Sequence, residues 1–170
     1  MKKTKLVTLF SACLLSFMPL VAVAEPYLIS KNGSEVTDKK TGLVWRRCIE
    51  GMRWNGKTCV GQASTLTRAA ALQLAKNQTT STSVAWRLPN KEELVSIVDY
   101  DRSHPAINTK VFPATPAKPF WVDSPAYTIL NSSGTNDNLY GWFVHFDEGY
   151  VHEGFDRGES YYVRLVRTGP

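Results

Sequence analysis

The first 24 residues constrain this chain more than any other stretch. Lys2, Lys3 and Lys5 precede an apolar run from Leu6 to Val23, Pro19 interrupts it, and Ala22-Val23-Ala24 places small residues before Glu25. A charged start, a short apolar stretch and an A-x-A exit make a cleavable secretory signal peptide. A spanning helix needs about 20 uninterrupted apolar residues, which Pro19 denies it. A lipoprotein signal ending at Cys13 fits less well, because the apolar run continues beyond that cysteine. Cleavage after Ala24 takes 24 of the 170 residues and leaves 146, the size of one domain with one sizeable core. The expected product is periplasmic or secreted.

That cut changes charge and cysteine content. Three of the 20 Lys and Arg leave with the signal and none of the 15 acids do, so the mature balance is only +2. Nucleic-acid binding, which needs a dense basic surface, loses its main support. Cys13 leaves too, and Cys48 and Cys59 remain in a compartment that permits oxidation. They are predicted to form a disulfide across a segment whose Gly51 and Asn55-Gly56 allow the chain to turn back. Two isolated cysteines make a poor zinc site, since structural zinc takes four ligands.

Residues 25–33 read as a lead, and 34–168 as the domain. Ser34 to Asp38 and Thr41 to Arg47 form a predicted β-hairpin. A first helix is expected from Leu66 to Lys76 behind Ser64 or Thr65, burying Leu66, Ala69, Ala70 and Leu74, with the polar tract 77–83 an exposed loop. Ala85 to Leu88 reads as a short strand. After Pro89, Asn90 stands three residues before Glu93 and starts a second helix through Leu94, Val95, Ile97 and Val98. Four prolines between 103 and 119 imply an irregular connection whose Ile107, Val111 and Phe112 plug the core. The last third reads as mostly antiparallel strands at 120–122, 142–146, 150–152 and 161–167, with a polar loop over 131–138 and a turn at Asp147-Glu148-Gly149. Helices between strands predict an α+β domain, two helices packed on an antiparallel sheet.

Several motifs taken together carry a resemblance. They are Val36-Thr37-Asp38-x-x-Thr41-Gly42-Leu43-x-Trp45, Trp86-Arg87-Leu88-Pro89-Asn90-x-x-Glu93-Leu94, Pro105-x-Ile107 leading to Phe112-Pro113, Phe120-Trp121, Trp142-x-Val144-x-Phe146-x-x-Gly149 and Tyr162-Val163-Arg164-x-Val166-Arg167. From Ser34 to Arg167 the chain resembles the Lcl C-terminal domain family, named for the end domain of a bacterial collagen-like adhesin. The Cys48–Cys59 segment looks like a recurrent insertion of that family. The resemblance implies a C-type-lectin-like fold, an extracytoplasmic location and, for the naming member, binding of sulfated polysaccharides. It implies no reaction. The chain lacks a collagen-like stalk and the calcium-lectin motifs Glu-Pro-Asn, Gln-Pro-Asp and Trp-Asn-Asp, so a calcium-bridged sugar site is unsupported.

The tryptophans at 45, 86, 121 and 142 are expected to fill a common core, while Trp54 within the disulfide loop is either exposed or packed over it. Arg87, Arg164 and Arg167, between apolar residues, suit forks that fix carbonyls or carboxylates; with Pro89 they form the structural set. Candidate ligand contacts lie in the C-terminal loops: Asn136, Asp137 and Tyr140 before one strand, and Tyr150, His152, Asp156 and Arg157 after the next turn. Amides and carboxylates bond sugar hydroxyls while rings cover the apolar sugar face. A four-residue loop would bring His145 and His152 together, with Asp147 able to complete a metal site, and a slightly different turn would break the pair. No Gly-x-Ser-x-Gly, His-Glu-x-x-His or glycine-rich phosphate loop occurs, so no catalytic residue, metal or cofactor is expected. The sequence therefore predicts a binding module for a glycan or sulfated polysaccharide, with a subunit of an envelope, appendage or secretion assembly as the alternative.

Overall fold

The computed structural model describes residues 25–124, 140–155 and 158–169. Residues 1–24, expected as the signal, the 131–138 stretch with Asn136 and Asp137, and Asp156 and Arg157 lie outside the described residues.

The chain opens with β1 (Tyr27–Ile29), β2 (Glu35–Asp38) and β3 (Leu43–Arg46). The β2–β3 turn follows from its residues. The Asp38 carboxylate accepts from Lys40 N–H at 2.9 Å and Thr41 Oγ1–H at 2.8 Å, and Gly42 takes the left-handed φ of +72° that closes it. A separate hairpin, β4 (Met52–Trp54) and β5 (Cys59–Gly61), sits beside this unit, and the Cys48–Cys59 disulfide ties it at the end next to its turn.

After β6 (Thr65–Leu66), helix α1 spans Arg68–Thr82 with Thr67 as its N-cap. It is longer than expected, and it buries a different face. The tract expected as a loop continues the helix, its Thr79, Thr80 and Thr82 hydroxyls donating to the carbonyls of Ala75, Lys76 and Gln78 one turn back and Thr79 also to the Trp86 carbonyl, and Ser83 ends it in a left-handed turn. Ala71 and Ala75 are buried, whereas Ala69 and Ala70 are exposed. Small alanines there let the backbone lie close to the sheet.

Of the strand expected at 85–88 only a single bridge survives, Arg87 to Val166. Helix α2 (Lys91–Val95) is one turn and a half long, with the reciprocal Asn90–Glu93 capping box in place. The proline-rich connection is irregular, and Ile107, Val111 and Phe112 are buried.

Strands β7 (Pro119–Trp121), β8 (Tyr140–His145), β9 (Tyr150–Phe155), β10 (Tyr161–Tyr162) and β11 (Val166–Thr168) complete the chain. The strand expected over 161–167 is two strands in different sheets. β10 joins the order β6-β10-β7-β8-β9, and β11 closes β1-β2-β3-β11. Val163, Arg164 and Leu165 cross between them, all buried. Every pairing is antiparallel except β10 with β7. Thus two sheets and a hairpin replace the single sheet expected.

One core lies where both sheets meet α2 and the 105–112 connection, built on Val36, Trp45, Ile107, Phe112, Phe120, Val144 and Phe146. A second, around Val44, Ala71, Ala75, Trp86, Leu88 and Trp121, is covered by α1. The common core expected of four tryptophans is not formed, since Trp45 lies in the first core and Trp86 and Trp121 in the second, and Trp142 departs further. It is only partly buried, and the Lys91 ammonium lies 4.8 Å from its ring.

Candidate functional site

The β8–β9 hairpin gives the larger sheet one face for the core and one that opens outward. Residues alternate faces along a strand, so Val144, paired with Val151, points into the first core, while Phe143 and His145 stand on the opposite face. Cross-strand register then lines up two rungs. Trp121, Phe143 and His152 lie across β7, β8 and β9, and Pro119, His145 and Tyr150 form the next rung toward the turn. Tyr161 of β10, level with Pro119 in register, reaches the first rung with its ring.

The rings touch in sequence. Trp121 and Tyr161 have centroids 4.3 Å apart, Tyr161 and Phe143 4.9 Å, Phe143 and His152 5.7 Å, and His145 and Tyr150 4.9 Å. The two pairs with histidine are nearly parallel, at 19° and 16°. Exposure rises along the array: Trp121 is buried, Phe143, His145 and Tyr161 are half-buried, and His152 and Tyr150 are exposed, Tyr150 by 45%. Gly141 explains the covered end, since a Cβ there would sit 2.8 Å from the Trp121 ring and 3.0 Å from the Arg68 stem.

The turn fixes the open end. Gly149 adopts φ +83°, and a Cβ on it would lie 2.4 Å from Val98, so the hairpin tip packs directly on the segment after α2. Asp147 C=O accepts from His104 N–H at 2.8 Å, Phe146 C=O from Ala106 N–H at 2.7 Å, and the Asp147 carboxylate meets the His104 ring. His145 Nδ1 accepts the Asp147 N–H at 3.1 Å, which leaves Nε2–H as a donor in the neutral ring. Burial pushes the His145 pKa below its ordinary value, the charge of Lys118 adding to this and that of Asp147 opposing it. On His152 the Nδ1 is 2.6 Å from the Glu153 carbonyl, which can only accept, so Nδ1 is the donor there and, in the neutral ring, Nε2 is the acceptor. The face therefore offers stacked rings, one N–H donor, one nitrogen acceptor and a phenol.

Of the sequence-predicted contacts, Tyr150 and His152 share this face, and Tyr140 begins β8; Asn136, Asp137, Asp156 and Arg157 lie outside the described residues. The turn is of the kind that breaks the conditional His145–His152 pairing, because His145 faces Tyr150 and His152 faces Phe143. Phe143, Tyr161 and Pro119 also belong to this face, and their one sequence signal is that β8 is apolar at both parities. The structural set is placed as follows. Arg87 forks Glu93 at 2.6 Å through both terminal nitrogens, and the Pro89 carbonyl accepts from Asp123 N–H at 2.7 Å. Arg167 meets Glu35 at 2.9 Å. Arg164 donates to the carbonyls of Arg46 and Arg47. Trp45, Trp86 and Trp121 are buried.

These features define an α+β domain of two largely antiparallel sheets, stapled by one disulfide and carrying an open aromatic face. Residues 34–167 match the profile of the Lcl C-terminal domain, and the chain belongs to that family. No match was found among curated proteins or among solved structures. Among the described residues, no helix is long and apolar enough to cross a membrane.

Proposed function

We propose that this protein is an exported, non-catalytic binding module of C-type-lectin-like fold that recognises a glycan or other anionic surface polymer, in the manner of an adhesin. The observation that carries the reading is the outward aromatic array Phe143-His145-Tyr150-His152. Rings of this kind cover the apolar face of a pyranose, and the histidine nitrogens and the tyrosine hydroxyl reach its hydroxyls. Membership of the Lcl C-terminal domain family and the A-x-A pattern before Glu25 support the assignment and the extracytoplasmic location. The test is a glycan panel that includes sulfated polysaccharides, with and without calcium and at two salt concentrations. Calcium-independent, salt-sensitive binding that Tyr150→Ala and His152→Ala each weaken about tenfold is the expected result. Binding indifferent to both variants would move the site elsewhere.

A second reading, a subunit of an envelope, appendage or secretion assembly, has one observation of its own. Among the described residues β1 pairs only with β2 and forms a sheet edge, where Leu28 and Ile29 are 60% and 44% exposed. Such an edge accepts a strand from a protein partner. A stoichiometric co-purifying protein, together with no glycan binding, would favour it.

A further inference from the structure

Trp54 lies outside both cores, yet it is held from several directions. Its three-residue strand is closed by the Cys48–Cys59 disulfide. The Arg47 guanidinium sits 4.2 Å from its ring and is itself anchored to the carbonyls of Val111, Gly33 and Lys110 at 2.8, 2.8 and 3.0 Å. Gly33, at φ +74°, makes room, since a Cβ there would be 2.5 Å from the indole Nε1. This half-buried indole is one wall of a groove of about 350 Å³ between the smaller sheet, the end of α1 and the β4–β5 hairpin. On another side the Arg46 guanidinium lies over Trp86 at 4.8 Å, held by Glu50 at 3.2 Å and Gln78 at 2.7 Å.

The charges around this groove do not cancel. Arg46 pairs with Glu50, and Arg167 with Glu35. Arg47 meets only carbonyls, and exposed Arg53, which lines the groove, has no hydrogen bond or ion pair among the described residues. Arg53 is thus the guanidinium lining the groove that is left without a carboxylate among the described residues, beside a preorganised ring on which buried Arg47 is stacked. Guanidinium groups recognise carboxylates and sulfates through directed hydrogen bonds, and a fixed indole favours a flat ligand because no side-chain ordering remains to be done on binding. The volume lies at the lower end of the range for small-molecule sites.

We propose that this groove binds a ring-sized ligand with one flat apolar face and one carboxylate or sulfate, the face resting on Trp54 and the anion meeting Arg53. The site is separate from the β8–β9 face and does not depend on it. Two sources share this chemistry, a uronate unit of a polysaccharide and a free aromatic acid. The experiment follows the Trp54 indole N–H by NMR while the purified protein is titrated with glucuronate and, separately, with 1-naphthoate. A saturable shift with at least one probe is expected, weakened about tenfold by Arg53→Gln and unchanged by Tyr150→Ala. Arg53 is exposed, so its replacement leaves the fold intact. Saturation by glucuronate alone assigns a glycan source, and by naphthoate alone a free acid. No saturable shift with either probe, or equal affinity in Arg53→Gln, overturns the proposal. Loss of glycan-panel binding in Tyr150→Ala with the Trp54 response retained would keep the two sites distinct.

Discussion

Arg164 shows what one residue does in this fold. It is fully buried, donates through Nη1 to the carbonyls of Arg46 and Arg47 at 2.8 and 2.6 Å, and through Nη2 to Thr115 Oγ1 at 2.6 Å, with its guanidinium 4.9 Å from the Phe112 ring. The chain is changing sheets at 163–165, so no strand is available to satisfy those carbonyls, and the side chain does it instead. Burial pulls the guanidinium pKa downward, from so high a starting value that the group stays charged at neutral pH. Arg164→Met keeps the volume but leaves two carbonyls unpaired. A loss of about 3 kcal/mol in urea unfolding is expected, and a loss below about 1 kcal/mol would mean that water takes over the role. An arginine among apolar residues was legible as a fork; its partners, 49 to 118 residues away in sequence, were not. Arg47, also buried, carried no such signal, because it reads as the polar end of a strand.

Helix α2 was legible at the level of an element because its signals are local. Asn90 and Glu93 are three residues apart and cap each other, and Asn90→Ala should cost about 1 kcal/mol in thermal or chemical unfolding. Glu93 does more, since the Arg87 fork holds its carboxyl below the usual range, with burial opposing and Asn90 assisting. A depressed folded pKa contributes stability above the unfolded value of 4.5 that is lost as pH falls through the lower folded value. Glu50 acts in the opposite direction, because burial raises its pKa despite Arg46, so the native state favours its protonated form as pH drops toward 4.5. Glu93→Gln should flatten the acid limb of a stability–pH profile measured between pH 5 and about 2, and an unaltered limb would show that the fork contributes nothing. Helix α1 was less legible. Its Ser/Thr-rich end has low propensity and reads as a loop; the Thr79 hydroxyl, also 2.8 Å from the Trp86 carbonyl, ties that turn to a segment the local sequence does not reveal.

Across the whole molecule, stability rests on two cores that share the smaller sheet, with Trp45 on one side of β3 and Val44 on the other. The disulfide closes only a local hairpin, separated by 11 residues in sequence, and neither core depends on it. Reduction is expected to cost about 2–3 kcal/mol and to lower the melting temperature by about 5–10 °C while leaving a cooperative transition. An unchanged melting temperature under reductant would count against a stabilising bridge. Because the hairpin carries Trp54, the Trp54 indole N–H resonance should lose dispersion on reduction well below the melting point.

The sequence by itself determined the cysteine pair, the β2–β3 turn, the capping box of α2, the plugging of the core by Ile107, Val111 and Phe112, and the family. Each rests on residues close together in the chain, or on a pattern of apolar positions that any packing of this chain would have to bury. The tertiary structure alone decided the rest. Which half of 161–167 belongs to which sheet depends on partners at Phe120 and Trp45. Which rings of β7, β8, β9 and β10 meet depends on register, and a shift of one residue would have turned Phe143 and His145 inward. The groove beside Trp54 needs Gly33, Arg47 and the 108–111 turn brought together. Side-chain period tells a strand that it has two faces, but only its neighbours determine which face meets solvent.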